Sequence, residues 1–85
     1  MYRVEIGSRA DRELKRLDRP LRVRIAEQIF SLQINFMQGK MLTGDLQSFR
    51  SLRVGDYRVI YDVDHEGHCV RILRVAHRRE VYRYA

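Results

Sequence analysis

One cysteine, one proline, no tryptophan and two lysines are all that these 85 residues contain of four ordinary building blocks. A lone thiol, Cys69, cannot close an internal disulfide, so the fold is expected to hold by packing in a reducing compartment. No segment approaches the roughly 18 apolar residues that a membrane span requires. The opening Met1–Ile6 lacks the apolar stretch and small-residue cleavage site of a secretory signal. These absences predict a cytoplasmic protein with no membrane partner. A chain of this length makes one domain, 1–85, that buries only about 60–65% of its unfolded surface, and a partner that covers more of it would add stability.

The scarcity of lysine has a chemical meaning. Of 17 Lys+Arg only Lys15 and Lys40 are lysines, and the net charge of +6 is therefore carried almost wholly by guanidinium groups. Guanidinium donates in pairs to phosphate oxygens, stays charged at any cellular pH and stacks on bases. A basic protein can use such charge for solubility alone, but Arg58 and Arg74 fall inside apolar runs, where a solubilising charge has no purpose. Nucleic acid is the expected partner class, with an acidic protein as the competitor.

Tyr2, Val4 and Ile6 alternate with Arg3 and Glu5, the period of a half-buried strand, and Gly7 ends it. Ser8 stands three residues before Asp11 like a capping box, and Ala10, Leu14 and Leu17 follow at helical spacing, so a short helix is expected over about 9–17. Pro20 suits the first turn of a second helix with a stripe of Leu21, Ile25, Ile29 and Leu32, widened by Val23, Ala26 and Phe30. Residues 33–45 break periodicity and read as a loop whose Met37, Met41 and Leu42 cover one end of the core. Residues 49–54, 57–64 and 69–77 read as a three-strand meander turned by Gly55-Asp56 and Glu66-Gly67. The sum is an α+β fold: an N-terminal strand, and two helices packed on one face of a twisted, mostly antiparallel four-stranded sheet.

The other face of that sheet stays open. Strand alternation puts Arg74, Ala76 and Arg78 on one side of the last strand, and Arg58 is expected to meet Arg74 and Arg78 on the uncovered surface. The same alternation turns His77 away from Arg78. Tyr57 and Tyr61 belong to the core or its rim. Cys69 reads as a small apolar filler, and with His65 and His68 it lacks the regular spacing of a metal site.

The order of elements, the segment Leu52-Arg-Val-Gly-Asp-Tyr-Arg-Val-Ile-Tyr61, the segment Ala76-His-Arg-Arg-Glu-Val-Tyr82 and the Lys40-Met-Leu-Thr-Gly44 stretch together resemble the RelE/ParE superfamily of bacterial and archaeal toxins. In its RelE branch the resemblance implies a ribosome-dependent endoribonuclease that cuts messenger RNA in the A site without a metal or other cofactor. It implies restraint by a RelB-like antitoxin that wraps the toxin. Carried over by position, Arg58 would contact the scissile phosphate, Arg78 would sit at the end of the last strand, and Tyr82 would be the tyrosine near the C-terminus. Attack by a 2′-OH on its own phosphate needs a base, cations for the charge on the phosphoryl oxygens and a proton for the leaving oxygen. Arg58 and Arg78 suit the second task, whereas Tyr82 needs nearby guanidiniums before it can serve as base. Lys40, Arg50, Arg53, Arg74, Arg79 and Arg83 are the remaining candidates for RNA contact. Where a well-known RelE branch has lysines, this chain has Phe49 and Ser51, with Arg50, Arg53 or Lys40 as substitutes. The alternatives are a ParE-type toxin that binds DNA gyrase with no nuclease chemistry, and an RNA-binding relic without turnover.

Overall fold

In a computed structural model, residues 1–44 and 48–80 are described. Strand β1 (Arg3–Ile6) leads into helices α1 (Ser8–Lys15) and α2 (Arg19–Ser31), followed by strands β2 (Lys40–Met41), β3 (Arg50–Val54), β4 (Tyr57–Asp64) and β5 (Cys69–His77). The sheet order is β1-β5-β4-β3-β2, with β1 parallel to β5 and the other neighbours antiparallel. The fold is the expected α+β arrangement with five strands where four were expected. The additional strand, β2, lies inside the stretch read as a loop and pairs Lys40 with Ser51 and Met41 with Arg50. Two residues are too few for any period-two pattern, so only the pairing reveals it.

The two helices bury one face of the sheet. Leu52, Val54, Val59, Tyr61, Val70, Ile72 and Val75 pack there against Ala10, Leu14, Ile25, Ile29 and Leu32. Phe36 closes one end, stacked on Tyr2 with centroids 4.1 Å apart and planes at 18°. That corrects the expectation for the loop methionines: Met37 and Met41 are half exposed, and Leu42 packs on the opposite face of the sheet. Val23 and Phe30 are also exposed, at 46% and 50%. Val23 lies two residues from Ile25, about 200° around the helix, so it cannot share that stripe.

The capping box expected at Ser8 is absent. Gly7 is the cap residue, in extended conformation, and its N–H donates to the Ile72 carbonyl at 2.9 Å. A Cβ on Gly7 would meet that carbonyl oxygen at 3.0 Å, which explains why a residue without a side chain makes the passage from sheet to helix. Asp11 instead pairs with Lys15 at 2.9 Å. No helix among the described residues is long and apolar enough to cross a membrane.

Alternation along β5 is interrupted once. Tyr61 lies opposite Ile72 while its neighbour Ile60 lies opposite Arg74, so Leu73 is an extra residue, a bulge. Before it Val70 and Ile72 face the helices; after it Val75 does, and Ala76 joins Ile60 on the open face.

Candidate functional site

On the open face the meander and β2 form a groove of about 530 Å³ lined by Lys40, Leu42, Thr43, Ser51, Arg53 and Arg58, among others. Strand geometry delivers these side chains. Leu52 and Val54 point into the helix-side core, which turns Ser51 and Arg53 outward, and Arg53 lies directly opposite Arg58 on β4. Ile60 and Ala76 form a small apolar floor, with Leu42 and Phe49 against them. Ala76 is the cross-strand partner of Arg58, and Arg78 follows two residues later, its N–H bonded to the Asp56 carbonyl at 2.8 Å. Arg78 is thereby held at the β3–β4 turn beside the end of the groove.

Like charges placed directly opposite one another on a sheet are unfavourable, and a bound anion relieves them. Among the described residues, Arg53 and Arg58 have only marginal bonds to neighbouring carbonyls, at 3.4 and 3.5 Å. Among the described residues, no carboxylate pairs with Lys40, Arg53, Arg58 or Arg78. Elsewhere on the sheet three guanidiniums are engaged with carboxylates: Arg3 with Glu5, Arg71 with Asp62 through two bonds of 2.8 and 2.9 Å, and Arg74 with Glu13 at 2.9 Å.

Two of the basic residues expected on this surface therefore serve elsewhere. Arg74, though opposite Ile60, turns its guanidinium to Glu13 of α1 in a pair that is 13% and 19% exposed. Arg50 donates to the Gly39 carbonyl at 2.7 Å and to that of Met37 at 3.3 Å. The expected convergence of Arg58, Arg74 and Arg78 thus gives way to Lys40, Arg53 and Arg58 around the groove, with Arg78 at its end. Arg79 follows Arg78, exposed, with its N–H on His77 Nδ1 at 3.2 Å. Tyr82 and Arg83 lie outside the described residues.

His77 packs edge-on against Tyr57, with ring centroids 5.6 Å apart, on the side away from the groove. His65 accepts or donates to the Tyr2 hydroxyl at 3.0 Å, and His68 lies edge-on to the same ring. Cys69 is buried, and its burial, with Glu5 beside it, pushes the thiol above its ordinary value. Such a thiol is a poor nucleophile. Among the described residues, neither histidine nor carboxylate lines the groove.

The support for Lys40 could not be read from sequence spacing. Tyr61 is fully buried, and its hydroxyl accepts from Gly39 N–H at 2.8 Å while donating to the Phe36 carbonyl at 2.9 Å. A Cβ on Gly39 would come within 2.6 Å of that hydroxyl, so the close approach demands glycine. Burial raises the Tyr61 pKa, opposed by the Gly39 bond and by Arg50. Gly39 is thus held at its N–H by Tyr61 and at its carbonyl by Arg50, and the next residue is Lys40. Glycine immediately before lysine was the only local signal of this clamp; its partners come from 11 and 22 residues away.

Chemically, the groove can bind a polyanion and hold positive charge against phosphoryl oxygens. Residues 4–82 match the family described as ParE toxin of type II toxin-antitoxin system, parDE. The chain is 38% identical over 84 residues to Toxin RelE of Mycobacterium tuberculosis, covering 96% of this chain and 87% of that one. It is 34% identical over 84 residues to Toxin RelG of the same organism, covering 96% and 97%. The crystal structure of the toxin-antitoxin complex RelBE2 from Mycobacterium tuberculosis contains a chain that superposes with a TM-score of 0.81 at 35% identity, over 89% of this chain and 96% of that one. With the fold and these relatives in agreement, the chain belongs to the RelE/ParE superfamily, as a toxin of the type II toxin-antitoxin class.

Proposed function

We propose that this toxin is a ribosome-dependent endoribonuclease that cuts messenger RNA in the A site by attack of a 2′-OH on the adjacent phosphate. The observation that carries the reading is the facing pair Arg53 and Arg58, beside Lys40, with no carboxylate partner among the described residues. In this reading Arg58 and Arg78 stabilise charge on the phosphoryl oxygens, and Lys40, Arg53, Arg79 and Arg83 hold the RNA backbone. Tyr82 draws off or returns the proton; among the described residues the groove lining offers neither histidine nor carboxylate for that task. The step needs no metal or cofactor: the 2′-oxygen bonds to phosphorus, the 5′-oxygen leaves with a proton, and a 2′,3′-cyclic phosphate remains. The similarity to proteins named RelE supports this branch.

A RelB-like antitoxin is the proposed partner, in the cytoplasm. The relative of known structure was solved as a toxin–antitoxin complex. Phe30 and Ile34, 50% and 77% exposed, offer apolar anchors, and the net charge of +6 suits an acidic chain that folds on binding.

A second reading, gyrase binding without nuclease chemistry, is favoured by the ParE description of the matching family. Induced expression of wild type and Arg58→Ala in bacterial cells, with growth followed and messenger RNA 5′ ends mapped, separates the two. New ends inside translated codons, lost together with growth arrest in Arg58→Ala, support the nuclease. Arrest with DNA damage, no new RNA ends and no effect of the substitution establishes the gyrase reading instead.

A further inference from the structure

We propose that Glu13, on α1 and far from the groove in sequence, is a positioning residue that holds the β5 bulge and so places Arg78 on the Arg58 face; its relevance to RNA cutting rests on the nuclease reading above. The need for such a residue follows from alternation. Arg71, paired with Asp62, faces the open side, and Val70 and Ile72 face the helices. Had that alternation continued unbroken, Ala76 and Arg78 would fall on the helix side and Val75 on the open one. The extra residue at Leu73 exchanges the two sets: Val75 enters the core at 2% exposure, and Ala76 lies opposite Arg58.

A bulge leaves strand groups without ladder partners and must be held by something else. Strand β1 covers the outer edge of β5 only as far as Ile72, where Gly7 N–H bonds to its carbonyl. Beyond that point α1 takes over. One oxygen of Glu13 accepts the Val75 N–H at 2.8 Å, and the other takes Nε and Nη2 of Arg74 at 3.1 and 2.9 Å. A single carboxylate thus closes the bare strand edge and holds the side chain next to the bulge. The pair is largely buried, where a charge-assisted bond is strongest and hardest to replace with water.

The test uses the full-length chain with Glu13→Ala, Glu13→Gln, Arg78→Ala and the Glu13→Ala/Arg78→Ala double variant. Register is read by NMR from the proximity of the Ala76 and Ile60 side chains and from Val75 amide exchange; cutting is read on ribosomes carrying messenger RNA. In Glu13→Ala the Ala76–Ile60 proximity should weaken and Val75 exchange quicken by about tenfold or more, with the Val59 and Ile72 methyl contacts of the core retained. Cutting should fall by about 10²-fold, mainly in kcat, as expected when a charge-stabilising group is displaced by about an ångström. The double variant should cut no worse than Arg78→Ala alone, because both changes remove the same group from the site. Glu13→Gln, which keeps an acceptor for Val75 but loses the ion pair, should fall between, and it carries the same readouts where Glu13→Ala does not fold. Unchanged Ala76 and Val75 signals, or losses that multiply in the double variant, overturn the proposal. A wild-type protein that cuts no RNA overturns the nuclease reading alone, and the NMR pair still decides the role of Glu13.

Discussion

The arginines of this sheet divide into two populations. Around the groove, Arg53 and Arg58 face each other across β3 and β4 with no carboxylate beside them among the described residues, and Arg78 stands in the same condition at the groove's end. At the β5 edge, along the β4–β5 ladder and under the β2 loop, Arg74, Arg71 and Arg50 are satisfied by Glu13, Asp62 and two backbone carbonyls. The same side chain thus holds the fold in one place and, among the described residues, is left without a carboxylate in another. What separates them is the company each keeps: one carboxylate or carbonyl within 3 Å converts a ligand-binding group into a structural one.

Substitutions on the two sides should therefore have opposite signatures. The largest effect is expected for Arg58→Ala: a loss of about 10²–10³ in RNA cutting, the scale of removing one charge-stabilising donor. Its thermal midpoint should change little, and a fall in midpoint large enough to explain lost activity would break the distinction. Next comes the clamp under Lys40. Gly39→Ala drives a Cβ to within 2.6 Å of the buried Tyr61 hydroxyl and should cost about 1–3 kcal/mol in a urea titration.

How much of this was legible beforehand follows from the range of the interactions. The strands β1, β3, β4 and β5 announce themselves by alternation and by turns at Gly55-Asp56 and Glu66-Gly67; Gly55 has φ 60°, and Asp64 Oδ1 accepts from Gly67 N–H at 3.1 Å. Arg58 and Arg53 could be assigned to the open face because β3 and β4 alternate without interruption. Arg74 and Arg50 could not be excluded from it, because their partners lie 61 and 11 residues away and no local pattern marks them. Strand β2 and the Gly7 cap were hidden for the same reason: both are defined by a contact with a distant strand.

A smaller effect is expected in alkali. Burial favours the neutral Tyr61 phenol, so its folded pKa lies above the unfolded value near 10. Above pH 10 the unfolded chain binds fewer protons than the folded one, and stability falls as pH rises through the folded pKa. This contribution is intact below pH 10. Urea titrations from pH 9 to 11.5 should show a decline that is shallower in Tyr61→Phe, and equal slopes would remove the phenol from the explanation. The smallest effect belongs to Arg71→Ala. Its pair with Asp62 is half exposed on the arginine side and screened by solvent, so the urea midpoint should scarcely move and RNA cutting should be unchanged.

The most direct measurement is the salt dependence of binding to a single-stranded RNA in which 2′-deoxy substitution prevents cutting. Each guanidinium that meets a phosphate releases counterions and adds about 0.7 to the slope of log K against log[salt]. Arg58→Ala should lower that slope by about 0.7, while Arg71→Ala, whose charge is already paired, leaves it where it is in the wild type. Equal slopes for wild type and Arg58→Ala, or a fall in Arg71→Ala instead, would contradict the assignment of the open groove to phosphate.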